Sequence, residues 1–355
     1  MTRKTGIVKD KKYLRHGSNF SHPETPQRLS SIYEMLDNPQ QSWKFTEIEP
    51  RSATDEELTL NHRLSYIRRL EETKGKKCVS LDPDTVATED SYEVARLAVG
   101  GLLSAVDAVM NGEVNNAFAL VRPPGHHAGP NEAAGFCLFN NVAIGAKYAL
   151  QKYGLDRVLI VDWDLHHGNG TQWTFYEDRR VLYFSSHQYP GYPGTGAVEE
   201  IGRGEGTGYT VNVPIRSGAD NAQYVKMYRS LLVPVAGAFR PQLVLLSAGF
   251  DIYCNDPLGN MRVTPEGFAM LTRIVLSIAD ACCGGKLVAT LEGGYHVAGL
   301  TDSVRAVLQE MRGDTEASEA DMRNMEASAD PKIDPLIRRV IDQIHPYWPV
   351  WGRTG

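Results

Sequence analysis

Short apolar runs that would suit buried strands alternate along this chain with stretches of helical periodicity, and a polar loop rich in glycine or proline follows most of the runs. Small and apolar residues recur with helical spacing from Ser91 to Met110, where Gly112 ends the segment. A strand predicted over Ala117–Val121 runs into RPPGHHAGPNEAAGF, and a helix follows at about 138–152. The run Val158–Val161 is too short for a free helix and rich in β-branched residues, so it reads as a strand buried on both faces. Further strands are predicted at Val181–Ser185, leading into HQYPGYPGTG, at Thr210–Pro214, at Leu243–Ala248 and at Lys286–Leu291. Helices are predicted at about 221–238, 265–283 and 299–311. Such alternation predicts an α/β single domain with a central, mostly parallel sheet flanked by helices on both faces.

The ends of the chain are less regular. Residues 1–90 mix apolar pieces with loops, among them SHPETPQRL at 21–29, which reads as a loop entering a helix. Residues 313–334 are acidic and weakly apolar, a surface connector or loosely held helix. The last stretch, DPLIRRVIDQIHPYWPVW, carries one apolar helical stripe and an aromatic end that would pack back onto the same domain.

Chemistry concentrates where the predicted strands end. In RVLIVDWDLHHGNG, alternation puts Asp162, Asp164 and His166 on one face and Val161, Trp163 and Leu165 on the other, which leaves His167 without a catalytic role. Buried carboxylates cost several kcal/mol unless cations or hydrogen-bond donors hold them. Three other strands end in polar groups: His126 and His127, Asp251, and Tyr295. Taken singly, each would pass as a helix cap or a packed side chain. In a parallel sheet, however, ligands bind outside the carboxyl ends of the strands, and four clusters fall there.

Asp164, His166 and Asp251 offer two carboxylates and one imidazole, which suits a catalytic divalent ion that keeps a position for water. His126 and His127 could pass a proton from that water to a leaving group. Tyr295, after Gly293 and Gly294, could donate to an oxyanion, and Phe136 and Tyr192 could wall a narrow apolar channel. The glycine run GRGEGTG at 202–208 precedes a strand-like segment instead of opening a helix, so it is not read as a phosphate loop.

Composition narrows the classes. The 355 residues are 42% hydrophobic with a net charge of -6, and their basic residues are scattered, which argues against direct nucleic-acid binding. No signal peptide and no run long enough to span a bilayer is visible, so a cytoplasmic protein without membrane attachment is expected. The five cysteines make no C-x-x-C pair and read as reduced thiols; Cys137 reads as packing beside the histidine loop. Oligomeric state is not legible.

The motifs RPPGHHAGPNEAAGFCLFNNVA, VDWDLHHGNGTQ, YPGTG, SAGFD and LEGGY, in this order, resemble those of the zinc-dependent histone deacetylase superfamily, from about Thr5 to Met311. HPETPQRL, LDPDT and the Asn of HHGNG are more similar to its class II branch. The resemblance implies the arginase/deacetylase fold, with a deacetylase catalytic domain over 1–312 and a connector and helix over 313–355. It implies zinc, with iron or cobalt as alternatives, on Asp164, His166 and Asp251. His127 would then be the main general base and acid, with His126 as its electrostatic partner, Asp162 bonded to His126, Asn169 orienting His127, and Tyr295 polarising the acyl carbonyl.

The resemblance further implies that Gly135, Phe136 and Tyr192 line an acyl-lysine tunnel and that Asp84 grips the substrate backbone at the rim. Potassium would bind near Asp162, Asp164, His166, Ser185 and Ser186. Tyr192 stands where Phe is common, and His296 where Asn or Asp is usual. The expected activity is hydrolysis of Nε-acyl-lysine in proteins or peptides. A deacylase of small acylated amines such as acetylpolyamines is the alternative, and a non-catalytic acyl-lysine-binding protein the third class.

Overall fold

A computed structural model of the chain describes residues 3–17, 22–40, 43–315 and 317–352. Among these residues ten strands are defined in chain order: β1 Thr5–Val8, β2 Thr46–Glu47, β3 Val79–Asp82, β4 Thr85–Ala87, β5 Asn116–Ala119, β6 Val158–Asp162, β7 Val181–Gln188, β8 Thr210–Ile215, β9 Leu243–Ala248 and β10 Leu287–Leu291. Eight form one sheet in the order β2-β1-β5-β10-β9-β6-β7-β8, and every pairing in it is parallel. β3 and β4 make a separate antiparallel pair.

The four inner strands β5, β10, β9 and β6 are buried at every residue. Their aliphatic side chains meet helices on both faces, each contributing roughly 1.5–3 kcal/mol on burial. The helix Ser91–Met110 is buried on most of its surface, as its largely apolar sequence requires, with Glu93, Arg96 and Asp107 outside the buried set, whereas Val297–Arg312 buries one stripe of Leu300, Val304, Val307, Leu308 and Met311.

Several boundaries differ from expectation for local reasons. β7 runs through Ser185, Ser186 and His187 to Gln188, because β8 pairs with it as far as Gln188↔Ile215; the serines lie in the strand and not in the following loop. The helix expected from 138 starts at Asn141, where the Asn140 side chain accepts the Ala143 amide. The first inner strand spans Asn116–Ala119 and stops before Val121. In the expected connector, Ser318 and Asp321 form a capping box for the helix Glu319–Ala327. The helix Asp334–Ile344 buries Ile337, Val340 and Ile344, and the Trp348 indole donates to the Gly208 carbonyl at 2.6 Å. Gly204–Gly206 forms a single turn before β8.

Among the histidines outside the strand-end clusters, His16, His62 and His187 are buried and held uncharged. Burial lowers His16 to about 4, His62 to about 3 and His187 to about 4. In the unfolded chain each takes a proton near ~6.5. Between these values the unfolded state binds up to three more protons, so this stability is complete above the unfolded value and is lost as the pH falls. At its steepest the loss is about 4 kcal/mol per pH unit, against a typical total of roughly 5–15 kcal/mol. Buried Asp251 and Glu292, raised to about 7, take up protons in the folded state over the same range and offset part of this loss. The urea midpoint is expected to fall between pH 7 and pH 5, and to fall less in His62→Gln; equal falls in both would contradict the role given to His62.

Candidate functional site

Because β5, β10, β9 and β6 are neighbours, their carboxyl ends bring the four polar clusters together. The ligand atoms of Asp164, His166 and Asp251 all lie within 4.8 Å of one another. Both carboxylates are fully buried, while His166 is partly exposed and gives the group one open side. The backbone fixes the outer oxygens: Leu165 N–H donates to Asp251 Oδ1 at 2.8 Å, and Gly293 N–H to Asp164 Oδ2 at 2.8 Å. Glycine is required at this approach, since a methyl on Gly249 or Gly293 would run into the Asp164 carboxylate.

The donor set fits a divalent cation. Among the described residues the ion-pair partners of Asp164 and Asp251 are imidazoles, with no lysine or arginine. Burial, with Asp164 next to it, pushes the Asp251 carboxyl up, the behaviour of two like charges confined to one dry site. Burial also opposes ionisation of Asp164, but His126 and His166 outweigh it and hold that carboxyl low.

The paired histidines are in different states. His126 Nδ1 donates to Asp162 Oδ2 at 3.1 Å, and Asp162 Oδ2 also accepts the Tyr183 hydroxyl at 2.9 Å. Burial pulls His126 down, yet Asp164 and Asp162 prevail and raise it to about 10. His127 Nδ1 lies 2.8 Å from Asn169 Oδ1, so an amide oxygen takes its N–H and no anion holds a proton there. Burial, with the cationic His126 4.0 Å away, drives His127 far below the ordinary histidine value. His127 is therefore neutral, with Nε2 left as the basic nitrogen. His167 contacts Thr195 and Gln172 instead of this group.

Tyr192 stands 5.1 Å from the His127 ring and 6.0 Å from that of His166. Phe136, at φ 69°, meets Tyr295 edge-on at 5.8 Å. Gly135 precedes it because a side chain there would overlap His127. Asp84 Oδ1 accepts the Gly135 amide at 3.1 Å, and Thr85 Oγ1 the Phe136 amide at 3.0 Å, so the small sheet β3–β4 braces this wall. The Ser185 and Ser186 hydroxyls pair with His187 and Tyr228, each at 2.9 Å.

Sequence reasoning missed the supports. Arg28, wholly buried, donates to the carbonyls of Glu292 at 2.6 Å and Gly294 at 2.5 Å and lies 4.9 Å from the Tyr295 ring. Glu24 joins it to Arg122, and these cations hold the Glu24 carboxyl at about 2 against the opposing effect of burial. The i, i+4 spacing of Glu24 and Arg28 in HPETPQRL was the available signal, but not its burial. Glu292 accepts the amides of Gly125 at 2.6 Å and His126 at 3.2 Å, fixing the backbone of the histidine loop. His296 proves to be a helix cap: its Nδ1 accepts the Gly299 amide at 3.0 Å, the task an Asn or Asp would do.

A buried carboxylate–imidazole cluster beside a neutral histidine and a tyrosine, at the carboxyl edge of a parallel sheet, has the parts of a metal-assisted hydrolase. The histone deacetylase domain family matches residues 22–311, and the chain belongs to that family. It is 43% identical over 297 residues to a probable deacetylase of Archaeoglobus fulgidus, covering 83% of this chain and 82% of that protein. It is 44% identical to human polyamine deacetylase HDAC10 and 40% to histone deacetylase 15 of Arabidopsis thaliana, covering 82% and 90% of this chain but 45% and 58% of those longer proteins. The crystal structure of the HDA15 HD domain superposes with a TM-score of 0.90 at 37% identity, covering 98% of this chain and 97% of that one. Among the described residues no helix is long and apolar enough to cross a membrane.

Proposed function

We propose that the chain is a metal-dependent amidohydrolase that removes acetyl or other acyl groups from Nε-acyl-lysine of proteins or peptides. The observation that carries this reading is the His127 ring, bonded to Asn169, 6.0 Å from that of His166 in the triad of Asp164, His166 and Asp251 and 5.1 Å from Tyr192. A divalent ion on that triad, zinc as in the family generally or else iron or cobalt, would supply Lewis acidity to an acyl carbonyl and to a water molecule.

The protein's own groups do the rest. His127 Nε2 takes the proton of the attacking water and returns it to the departing lysine amine, while Asn169 keeps the ring in the tautomer that leaves Nε2 basic. His126 keeps both of its ring protons, with Nδ1–H bonded to Asp162, and presents a fixed positive charge. The Tyr295 phenol donates to the carbonyl oxygen as negative charge grows on it. Gly135, Phe136 and Tyr192 enclose the aliphatic part of the lysine, and Asp84, anchored by the Gly135 amide, accepts from the substrate backbone at the rim. A potassium ion would sit among Asp162, Asp164, His166, Ser185 and Ser186, a placement supported by the pairing of Asp162 with Ser185 across β6 and β7. Residues 1–312 would form the catalytic domain, with 313–355 packed on it. The five free cysteines suit a reducing cytoplasm.

A second reading, deacylation of small acylated amines, is favoured by the relative named polyamine deacetylase, since it would use the same groups and differ only at the rim. Competition decides between them. The metal-loaded protein is offered acetyl-lysine peptide and acetylpolyamine together, and preferential release of acetate from the peptide is expected; turnover of the polyamine alone would reverse the assignment.

A further inference from the structure

The proposed place of the Tyr295 phenol depends on the backbone of Gly293–His296, which is held from two sides. On one side Arg28 takes the carbonyls of Glu292 and Gly294. On the other stands Asp256, a buried carboxylate to which no role has been given. Its Oδ2 accepts the Tyr295 amide at 2.6 Å and the His296 amide at 3.1 Å, and its Oδ1 accepts the Leu258 amide at 3.0 Å.

The loop that carries Asp256 is itself moulded to the metal ligand. Tyr253 N–H bonds Phe250 O at 3.2 Å and Cys254 N–H bonds Val263 O at 2.9 Å, so the loop leaves and rejoins the fold close to Asp251. Any side chain at Gly259 would strike the Asp251 carbonyl. The contact is extended by the Tyr253 ring, which lies against the His296 ring at 5.3 Å and leaves no room for a side chain at Gly299. The residue before the capped helix is thus tied through one carboxylate to the loop packed on Asp251.

We propose that Asp256 is a positioning residue for hydrolysis: its carboxylate fixes the Tyr295 backbone, and through it the phenol, relative to Asp251. This rests on the reading in which Tyr295 donates to the substrate carbonyl. A carboxylate suits the task because one of its oxygens takes two amides while the other takes a third. An asparagine would offer its oxygen to Tyr295 and His296 but turn an N–H2 toward the Leu258 amide, where donor meets donor.

The test compares Asp256→Ala and Asp256→Asn in the wild-type chain and in Tyr295→Phe, measuring kcat, KM and bound zinc on acetyl-lysine peptide, with a crystal structure of Asp256→Asn. Asp256→Ala is expected to lower kcat on the order of 10²-fold, the usual penalty for a displaced reacting group, with KM and zinc content unchanged. Asp256→Asn should fall between it and the parent, and keeps the experiment decisive if the alanine variant does not fold. In Tyr295→Phe the same substitutions should add little, because the group they position is gone. Equal losses in both backgrounds, or lost zinc, would overturn the inference. Full activity of Tyr295→Phe would instead sink the role given to the phenol and with it the link to hydrolysis; the crystal structure then tells the two apart, a shifted loop in Asp256→Asn upholding Asp256 as the group that places Tyr295 and an unmoved Tyr295 overturning that as well.

Discussion

Asp251→Ala is expected to purify without a stoichiometric divalent ion and to lose more than about 10³-fold in turnover, the several kcal/mol that a Lewis acid contributes. Asp251 Oδ2 is 3.1 Å from His166 Nδ1 and its other oxygen is tied to Leu165 N–H, so both of its oxygens are held at the triad. Removing it leaves Asp164 and His166 alone of the three, and a site with two ligands binds metal far less tightly than one with three. Metal content by elemental analysis and acetate release are the two readouts. Retained metal would contradict the ligand assignment even if activity were lost.

His127→Ala separates proton transfer from metal binding. The ring hydrogen-bonds Asn169 and not the carboxylates of the triad, so the variant should bind its ion as the parent does while turnover falls by roughly 10²–10⁴-fold, the range for a lost general acid–base. Asn169→Ala should be milder, because Nε2 remains and only its orientation is lost. Loss of the ion from His127→Ala would mean that this histidine is a ligand. Equal activity of variant and parent would place the base elsewhere.

How far the site could be read in advance depended on the kind of feature. Asp162, Asp164 and His166 were legible as neighbours because alternation is a local rule, although β6 ends at Asp162 and the chain bends over residues 164–166, beyond the strand for which that rule holds. Asp251 and Tyr295 were legible because a charged or phenolic group at the end of an apolar run has no bland explanation once three others share it. Strand order was not legible: that β10 and β9 lie between β5 and β6 is a long-range result of packing.

The supports were hidden for another reason. Arg28, Glu24, Glu292 and Asp256 are charged residues in loops or at helix starts, where solvent is the ordinary expectation, and their burial follows only from the folded loops around them. His296 was visible as a departure, but its meaning as a cap needed the start of the following helix at Val297. The extent of β7 through Ser185 and Ser186 likewise needed its partner β8.

The central claim is that hydrolysis depends on one ion held by Asp164, His166 and Asp251. Its most direct measurement strips the purified protein with a chelator and titrates zinc back while following acetate release from an acetyl-lysine peptide. The account predicts that activity vanishes on stripping and returns in proportion to added zinc until one ion is bound per chain. Activity undiminished after all metal has been removed would contradict it.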